Sequence, residues 1–163
     1  MEKTITIEEQ LRHEGYIVST TAGYSMWPML KNRRDRVIIR AYEPGRFPKQ
    51  NDLILYRRGD GRYILHRALW VGEDFYIVRG DNTFYLEEVK PEQILGCVTE
   101  FYRKNRHCFV TSKFYRVYVW AWRVLFPLRA LCHALKIGFR KLLSLAKRMI
   151  KKLIKWDERK KQE

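Results

Sequence analysis

The strongest constraint on this chain is a change of residue pattern close to Ser112. Before it, short runs of β-forming residues are separated by glycine- and proline-containing turns. After it, apolar residues recur at the three- and four-residue spacing of an amphipathic helix. The two patterns predict different secondary structure on either side of Ser112. We therefore expect a mainly β domain over residues 1–112 and an α-helical tail over residues 113–163.

The β domain is expected to be a compact antiparallel sheet that is partly barrel-like. A short helix should precede it, because Thr6 and Glu9 have capping-box spacing and Gly15 is a plausible helix stop. Several short strands at close spacing are typical of an antiparallel sheet that folds over on itself. The predicted strands are Tyr16–Ser19, Arg36–Ala41, Leu53–Tyr56, Tyr63–Val71, Phe75–Arg79 and Ile94–Tyr102.

The charge of the chain is concentrated in the tail. The 163 residues contain 33 Lys and Arg against 18 Asp and Glu, a formal net charge of +15. Residues 1–112 hold 18 basic and 15 acidic residues, whereas residues 113–163 hold 15 basic and 3 acidic residues. An excess of positive charge of this size indicates an anionic partner, and the tail carries most of that charge.

The tail pattern predicts two helices, Phe114–Phe126 and Leu128–Trp156, hinged at Pro127. The second carries an apolar stripe, Leu128, Leu131, Leu135, Phe139, Leu142, Ala146, Met149 and Leu153, opposite the basic residues Lys136, Arg140, Lys147, Lys151 and Lys155. We expect this helix to lie on an anionic membrane surface. A helix packed on the β domain or bound to a partner is the alternative. Nucleic acid is not expected, because aromatic and lysine residues are not interleaved along a groove.

Other features bear on location and cofactors. The longest uncharged run, Gly15–Leu30, is too short and too rich in polar residues to span a membrane, and the first residues do not form a signal peptide. We therefore expect a cytoplasmic protein or one bound to the cytoplasmic face of a membrane. Three cysteines without ligand spacing predict no disulfide framework, and neither a metal nor a cofactor is expected.

Three segments of the β domain could support catalysis. Ser25 lies in a Gly- and Pro-containing stretch that should form a tight turn and leave backbone N–H groups free. His66 lies within an apolar strand and could act as a general base. Asp81 lies in a Gly-Asp-Asn turn, with Glu87 six residues later. Taken singly, each also fits an ordinary structural position: an exposed serine, a packed histidine and a hairpin turn.

Together, and in this order, these segments resemble signal peptidase I. The stretch Ser25-Met26-Trp27-Pro28-Met29 is similar to that family's Ser-Met-x-Pro nucleophile box. Asn51–Tyr56 resembles its Gly-Asp-(apolar) strand, with Asn51 in place of Gly. Ile64–Arg67 looks like its base-carrying strand, with the His of endoplasmic-reticulum and archaeal members rather than Lys. Gly80–Asn82 matches its Gly-Asp-Asn box. The resemblance covers roughly Tyr16 to Tyr102.

The resemblance implies a serine endopeptidase of the signal peptidase/LexA-like β fold. Ser25 would be the nucleophile, His66 its general base and Asp81 the acid that orients His66, with Glu87 as the auxiliary or alternative acid. The substrate would be an extended signal- or leader-type peptide with small side chains before the cut. Many members have a Ser two residues before the nucleophile that assists the oxyanion hole, and Gly23 stands there in this chain.

Two other functions are compatible with the same residues. A LexA-type self-cleaving regulator uses a similar β fold, but it pairs its Ser with Lys and carries a DNA-binding domain, for which residues 1–15 are too short. A catalytically degenerate peptidase fold would act only through its cationic tail, although Ser25, His66 and Asp81 are all present.

Overall fold

The computed structural model describes residues 5–42 and 47–160, with side chains described as far as Lys151. The chain divides into two compact units, residues 1–121 and residues 122–163. The first unit is mainly an antiparallel β sheet and the second is helical, as the residue pattern predicts.

The N-terminal helix α1 (Ile7–Glu14) has the predicted ends. The Thr6 hydroxyl accepts a hydrogen bond from the Glu9 backbone, and the Glu9 side chain accepts one from the Thr6 backbone. Gly15 ends the helix with φ of +74°, a conformation that favours glycine. The helix buries Leu11 in the core and leads directly into the first strand.

Eight strands form one sheet in which every pair is antiparallel. Six of the strands lie where the sequence predicts them, and the two short strands β6 and β8 were not predicted. The strands are β1 (Tyr16–Thr20), β2 (Arg36–Ala41), β3 (Leu53–Arg57), β4 (Tyr63–Val71), β5 (Tyr76–Arg79), β6 (Glu87–Val89), β7 (Ile94–Arg103) and β8 (Arg106–Phe109). Their order is β1-β2-β7-β3-β4-β5-β6, with β8 added to β7, and the described sheet does not close.

Strand β3 divides the core into two clusters because both of its faces are buried. Leu53 and Leu55 pack into a larger cluster that includes residues of α1, β1, β2 and the Ser25 turn. Ile54 and Tyr56 pack into a smaller cluster with residues of β5 and β6. Strand β4 pairs with β3 so that Ile54 lies opposite His66, which places His66 on the face of the smaller cluster.

Two helices follow the sheet. Helix α2 (Lys113–Val124) packs Tyr115 and Tyr118 against the larger cluster and also buries Val119. Helix α3 (Phe126–Lys160) follows after Leu125, so the break lies two residues before the predicted hinge at Pro127. Proline is tolerated in the first turn of a helix, where its missing N–H would have no intrahelical acceptor.

Helix α3 leaves its predicted apolar stripe exposed. Leu135, Phe139, Leu142 and Met149 each expose more than 60% of their surface. The predicted stripe and basic-face positions Leu153 and Lys155 lie outside the described side chains. Within residues 5–42 and 47–160, no helix combines the length and apolarity needed to cross a bilayer.

Candidate active site

Ser25 is presented by a compact turn between β1 and β2. The backbone N–H of Leu30 donates to Met26 O at 2.9 Å, and the side chains of Met26, Met29 and Leu30 are buried in the larger cluster. Gly23 begins the turn with φ of +92° and donates its N–H to Asn32 Oδ1 at 2.9 Å. These anchors hold the turn in place while Ser25 itself stays half-buried.

His66 and Ser25 converge on Gly80. The pairing of β4 with β5 places Arg67 opposite Arg79, so Gly80, the next residue, lies across from His66. A Cβ atom added to Gly80 would lie 2.9 Å from Ser25 Cβ and 3.0 Å from His66 Nε2. The Ser25 side chain and the His66 Nε2 atom therefore both lie next to Gly80. Although both side chains are described, no hydrogen bond joins them, and such contacts commonly tighten only when substrate binds.

A tyrosine and a glutamate hold the other nitrogen of His66. Tyr56 Oη lies 3.2 Å from His66 Nδ1 and donates its proton to Glu87 Oε2 at 3.1 Å. The Tyr56 oxygen is then left to accept a hydrogen bond from Nδ1–H. Glu87 Oε1 lies 3.3 Å from the same nitrogen. This arrangement favours the tautomer with the proton on Nδ1, which leaves the Nε2 lone pair free to accept a proton from Ser25.

The electrostatics of the pocket keep His66 neutral. The imidazole is 2% exposed, and this burial lowers its pKa to about 4 even though the Glu87 carboxylate opposes the shift. Arg58 donates from Nε to Glu87 Oε2 at 2.9 Å and fixes the carboxylate in place. Burial and the adjacent Glu87 raise the pKa of Tyr56 above its ordinary value, so Tyr56 remains a hydrogen-bond donor.

Asp81 is paired with Arg67, the residue that follows His66. Its two oxygens accept hydrogen bonds from Arg67 Nε at 2.8 Å and Arg67 Nη2 at 2.7 Å, and both side chains are almost completely buried. Burial lowers the pKa of Arg67, but Asp81 and Tyr115 together raise that pKa above its ordinary value. Of the two acids named from the sequence, Glu87 lies against the His66 ring, with Oε1 3.3 Å from Nδ1. Burial lowers the pKa of His66, and the Asp81 carboxylate, like Glu87, opposes that shift, so the expected role of Asp81 towards His66 stays a prediction.

Two residues of the site were missed by sequence reasoning. Tyr56 ends an apolar run whose residues are all buried. The run has no alternation of polar and apolar residues that could predict on which face of the sheet Tyr56 lies. The pairing of β3 with β4 does identify that face, because Tyr56 lies two positions from Ile54, which is opposite His66. No local pattern in the sequence predicts a role for Arg58, because its partner Glu87 is 29 residues away.

A cleft of about 400 Å³ opens beside Ser25 and His66. The apolar residues of its lining include Ile17, Leu55 and Leu65, and the aromatic ones Tyr24, Tyr63 and Tyr85. The backbone N–H groups of Ser25 and Met26 donate to no acceptor among the described residues, so both are available to a ligand. The cleft can hold an extended peptide with a carbonyl oxygen near these donors.

Metal-ligating residues are dispersed. The described part of the chain contains no group of three or more His, Cys, Asp or Glu side chains able to hold a metal ion. Cys97, Cys108 and Cys132 are not joined by disulfide bonds in the described residues.

We expect Gly80→Ala to separate Ser25 from His66 and reduce peptide hydrolysis. The added Cβ would lie 2.7 Å from Ser25 O, a backbone atom that cannot rotate away, and close to both reacting side chains. A misplacement approaching 1 Å can lower a rate by roughly 100-fold. The check is kcat for a cleaved peptide, with Gly59→Ala as the control, because a Cβ at Gly59 meets no atom within 4 Å. Equal kcat for both variants would contradict the close approach.

No protein-family model matches the chain, and the search of curated proteins finds no significant match. The function of the site is therefore argued from its residues and geometry.

Proposed function

We propose that the protein is a serine endopeptidase in which Ser25 is the nucleophile and His66 the general base. The observation that carries the proposal is the convergence of Ser25 Cβ and His66 Nε2 on Gly80, with Nδ1 held by Tyr56 and Glu87. A buried, neutral imidazole with a free Nε2 is what a serine hydroxyl needs in order to lose its proton.

The proposed reaction uses each of these groups in turn. His66 Nε2 accepts the Ser25 Oγ proton as Oγ attacks the scissile carbonyl, and the N–H groups of Ser25 and Met26 bind the resulting oxyanion. Glu87 stabilises the imidazolium that forms. His66 then gives the proton to the departing amine, which leaves an acyl-enzyme on Ser25. Water, deprotonated by His66, hydrolyses that ester and releases the second product.

The same proposal assigns the β domain to the partly barrel-like signal peptidase/LexA fold, of the Ser-His type. Its support is that the nucleophile box, the base-carrying strand and the Gly-Asp-Asn turn, which are far apart in sequence, meet at one site. The substrates proposed are signal- or leader-type peptides. A neutral imidazole base and the absence of a lysine at its position favour this assignment over a LexA-type self-cleaving regulator.

The test is a peptide library incubated with the purified protein and read by mass spectrometry. Wild type should cleave after small side chains, whereas Ser25→Ala should not. The Gly59→Ala variant is a suitable control, because its site is unchanged. Absence of cleavage by wild type, or equal cleavage by Ser25→Ala, would reject the proposal in favour of a degenerate peptidase fold.

We expect the reaction to persist in mildly acidic solution. With the pKa of His66 at about 4, kcat/KM should rise with pH around that value and stay high above it, unlike a reaction that depends on an ordinary imidazole. A profile whose acid limb lies near the ordinary value of 6.5 would contradict the buried, neutral base.

The same pKa predicts an acid-labile fold. Because the folded state binds the proton less well than the unfolded state does, the His66 contribution is present above pH 6.5 and is lost as pH falls towards 4. The free energy of unfolding should drop by about 2 kcal/mol between pH 7 and pH 5 on this account alone. Urea unfolding of wild type and His66→Gln at both pH values measures it, and the variant should show a smaller drop.

The tail is proposed to hold the enzyme on an anionic membrane surface, at the cytoplasmic face. Support comes from α3, whose exposed apolar stripe includes Leu135 and Leu142 and is opposed by basic residues such as Lys136, Arg140 and Lys147. The protein should sediment with vesicles rich in phosphatidylglycerol, less so at high salt, and not with phosphatidylcholine vesicles. A Leu135→Glu/Leu142→Glu variant should stay in solution. Protease-accessibility mapping that places the β domain outside the cell would reject the location.

A further inference from the structure

The buried pair of Arg67 and Asp81 is completed by two hydroxyl groups from helix α2. Arg67 Nη1 donates to Tyr115 Oη at 2.9 Å, and Tyr118 Oη donates to Asp81 Oδ2 at 3.0 Å. The Arg67 guanidinium also lies 5.6 Å from the centre of the Tyr115 ring. The two tyrosines are three positions apart, so they project from the same side of the helix.

The residues on either side of Asp81 hold the Ser25 turn. The backbone N–H of Asn82 donates to Ser25 O at 2.7 Å, and Asn82 Nδ2 donates to Tyr24 O at 3.2 Å. On the other side, Gly80 is in close contact with Ser25 and His66. A shift of the Asp81 backbone would therefore move the groups that position Ser25.

A buried ion pair holds its geometry only when its remaining donors and acceptors are satisfied. Besides Asp81, Arg67 also donates to Asn51 O at 2.9 Å. Without the two tyrosine hydroxyls, Arg67 Nη1 would lose one of its acceptors and Asp81 Oδ2 one of its donors. The two charged groups would then lower their free energy by moving towards other hydrogen-bonding partners, and the Gly80–Asn82 loop would move with them.

We propose that α2 contributes to the geometry of the catalytic site, and that Tyr115 and Tyr118 are positioning residues. Through Arg67 and Asp81 they hold the Gly80–Asn82 loop, and this loop holds Ser25 against His66. As far as hydrolysis is concerned, the inference rests on the proposed function. The positional part rests on the contacts alone.

The test compares wild type with a Tyr115→Phe/Tyr118→Phe variant, which loses two hydroxyls and keeps both rings. We expect kcat to fall by about tenfold or more with KM changed by less than about twofold, since the cleft is intact and only the reacting groups are displaced. The acid limb of the pH profile should stay in place, because Tyr56 and Glu87 are untouched. Tyr102→Phe is the matched control, because the Tyr102 ring stacks on His107 and its hydroxyl bonds to no described residue.

Amide hydrogen exchange supplies a readout that needs no activity. The Asn82 amide, which is bonded to Ser25 O, should exchange about tenfold faster in the double variant relative to the amides of the β2–β7 pair. If wild type cleaves no peptide but Asn82 exchange rises selectively, the positional inference stands and the proposed function fails. If wild type is active and the double variant keeps its kcat, the inference is overturned. It is equally overturned if exchange rises to the same extent at all these amides.

Discussion

Replacement of Ser25 or His66 by alanine is expected to lower kcat by roughly 10³- to 10⁶-fold, the range expected when one member of a nucleophile–base unit is lost. The reason is geometric: Ser25 Cβ and His66 Nε2 both lie next to Gly80, so removing either side chain leaves the other without its proposed partner. The measurement is kcat and KM on a peptide identified from the library, with unfolding curves to show that each variant is folded.

The double variant Ser25→Ala/His66→Ala separates a functional unit from two independent residues. It should be no slower than Ser25→Ala alone, because a base without its nucleophile has nothing to deprotonate. Multiplicative losses would show that the two residues act separately and would contradict the proposed dyad. KM should change little in all three variants, since the apolar lining of the cleft is unaltered.

Asp81→Ala is expected to destabilise the fold by about 3–5 kcal/mol, because it leaves the Arg67 guanidinium buried and unpaired. The free energy of unfolding in urea measures this cost. The paired variant Arg67→Met/Asp81→Leu should recover much of it, since apolar residues of similar volume remove both charges together. A cost below about 1 kcal/mol for Asp81→Ala would contradict the buried pair.

Glu87→Gln is the informative contrast to Asp81→Ala. It weakens the support of the His66 imidazolium while keeping the size of the side chain, so kcat should fall with the fold largely retained. If Asp81 were the orienting acid instead, Glu87→Gln would leave kcat unchanged. The Glu87 substitution therefore decides between the acids that the sequence left open.

Local signals in the sequence predicted most of the fold. The capping residues Thr6 and Glu9 marked α1, and six strands followed from β-forming runs between turns. Strand β6 was not predicted, because Glu87–Val89 is only three residues long and mostly charged. Yet this short strand carries the acid that faces His66. Its position is set by pairing with β5, a tertiary contact that alternation within three residues cannot reveal.

The candidate site was predictable in its residue types and not in its pairings. Ser25 and His66 were found by their motifs, and the structure brings them together. The partner of Asp81 was not found, because a carboxylate next to a turn gives no sign of which charge lies across the sheet. The burial of Arg67 against Asp81 depends on residues from β4, the turn after β5 and α2 at once.

Because His66 and Arg67 are neighbours on strand β4, the proposed catalysis requires β4 to pair with the adjacent strands in the correct register. Successive residues of a strand point to opposite faces, so a slip of β4 by one position would exchange the imidazole and the guanidinium. A permanently charged group would then occupy the place of the base, and the carboxylate of Asp81 would lose its counter-ion. On the proposed function, a misregistered chain would be both unstable and inactive, so measured hydrolysis would also report that the strands are correctly paired.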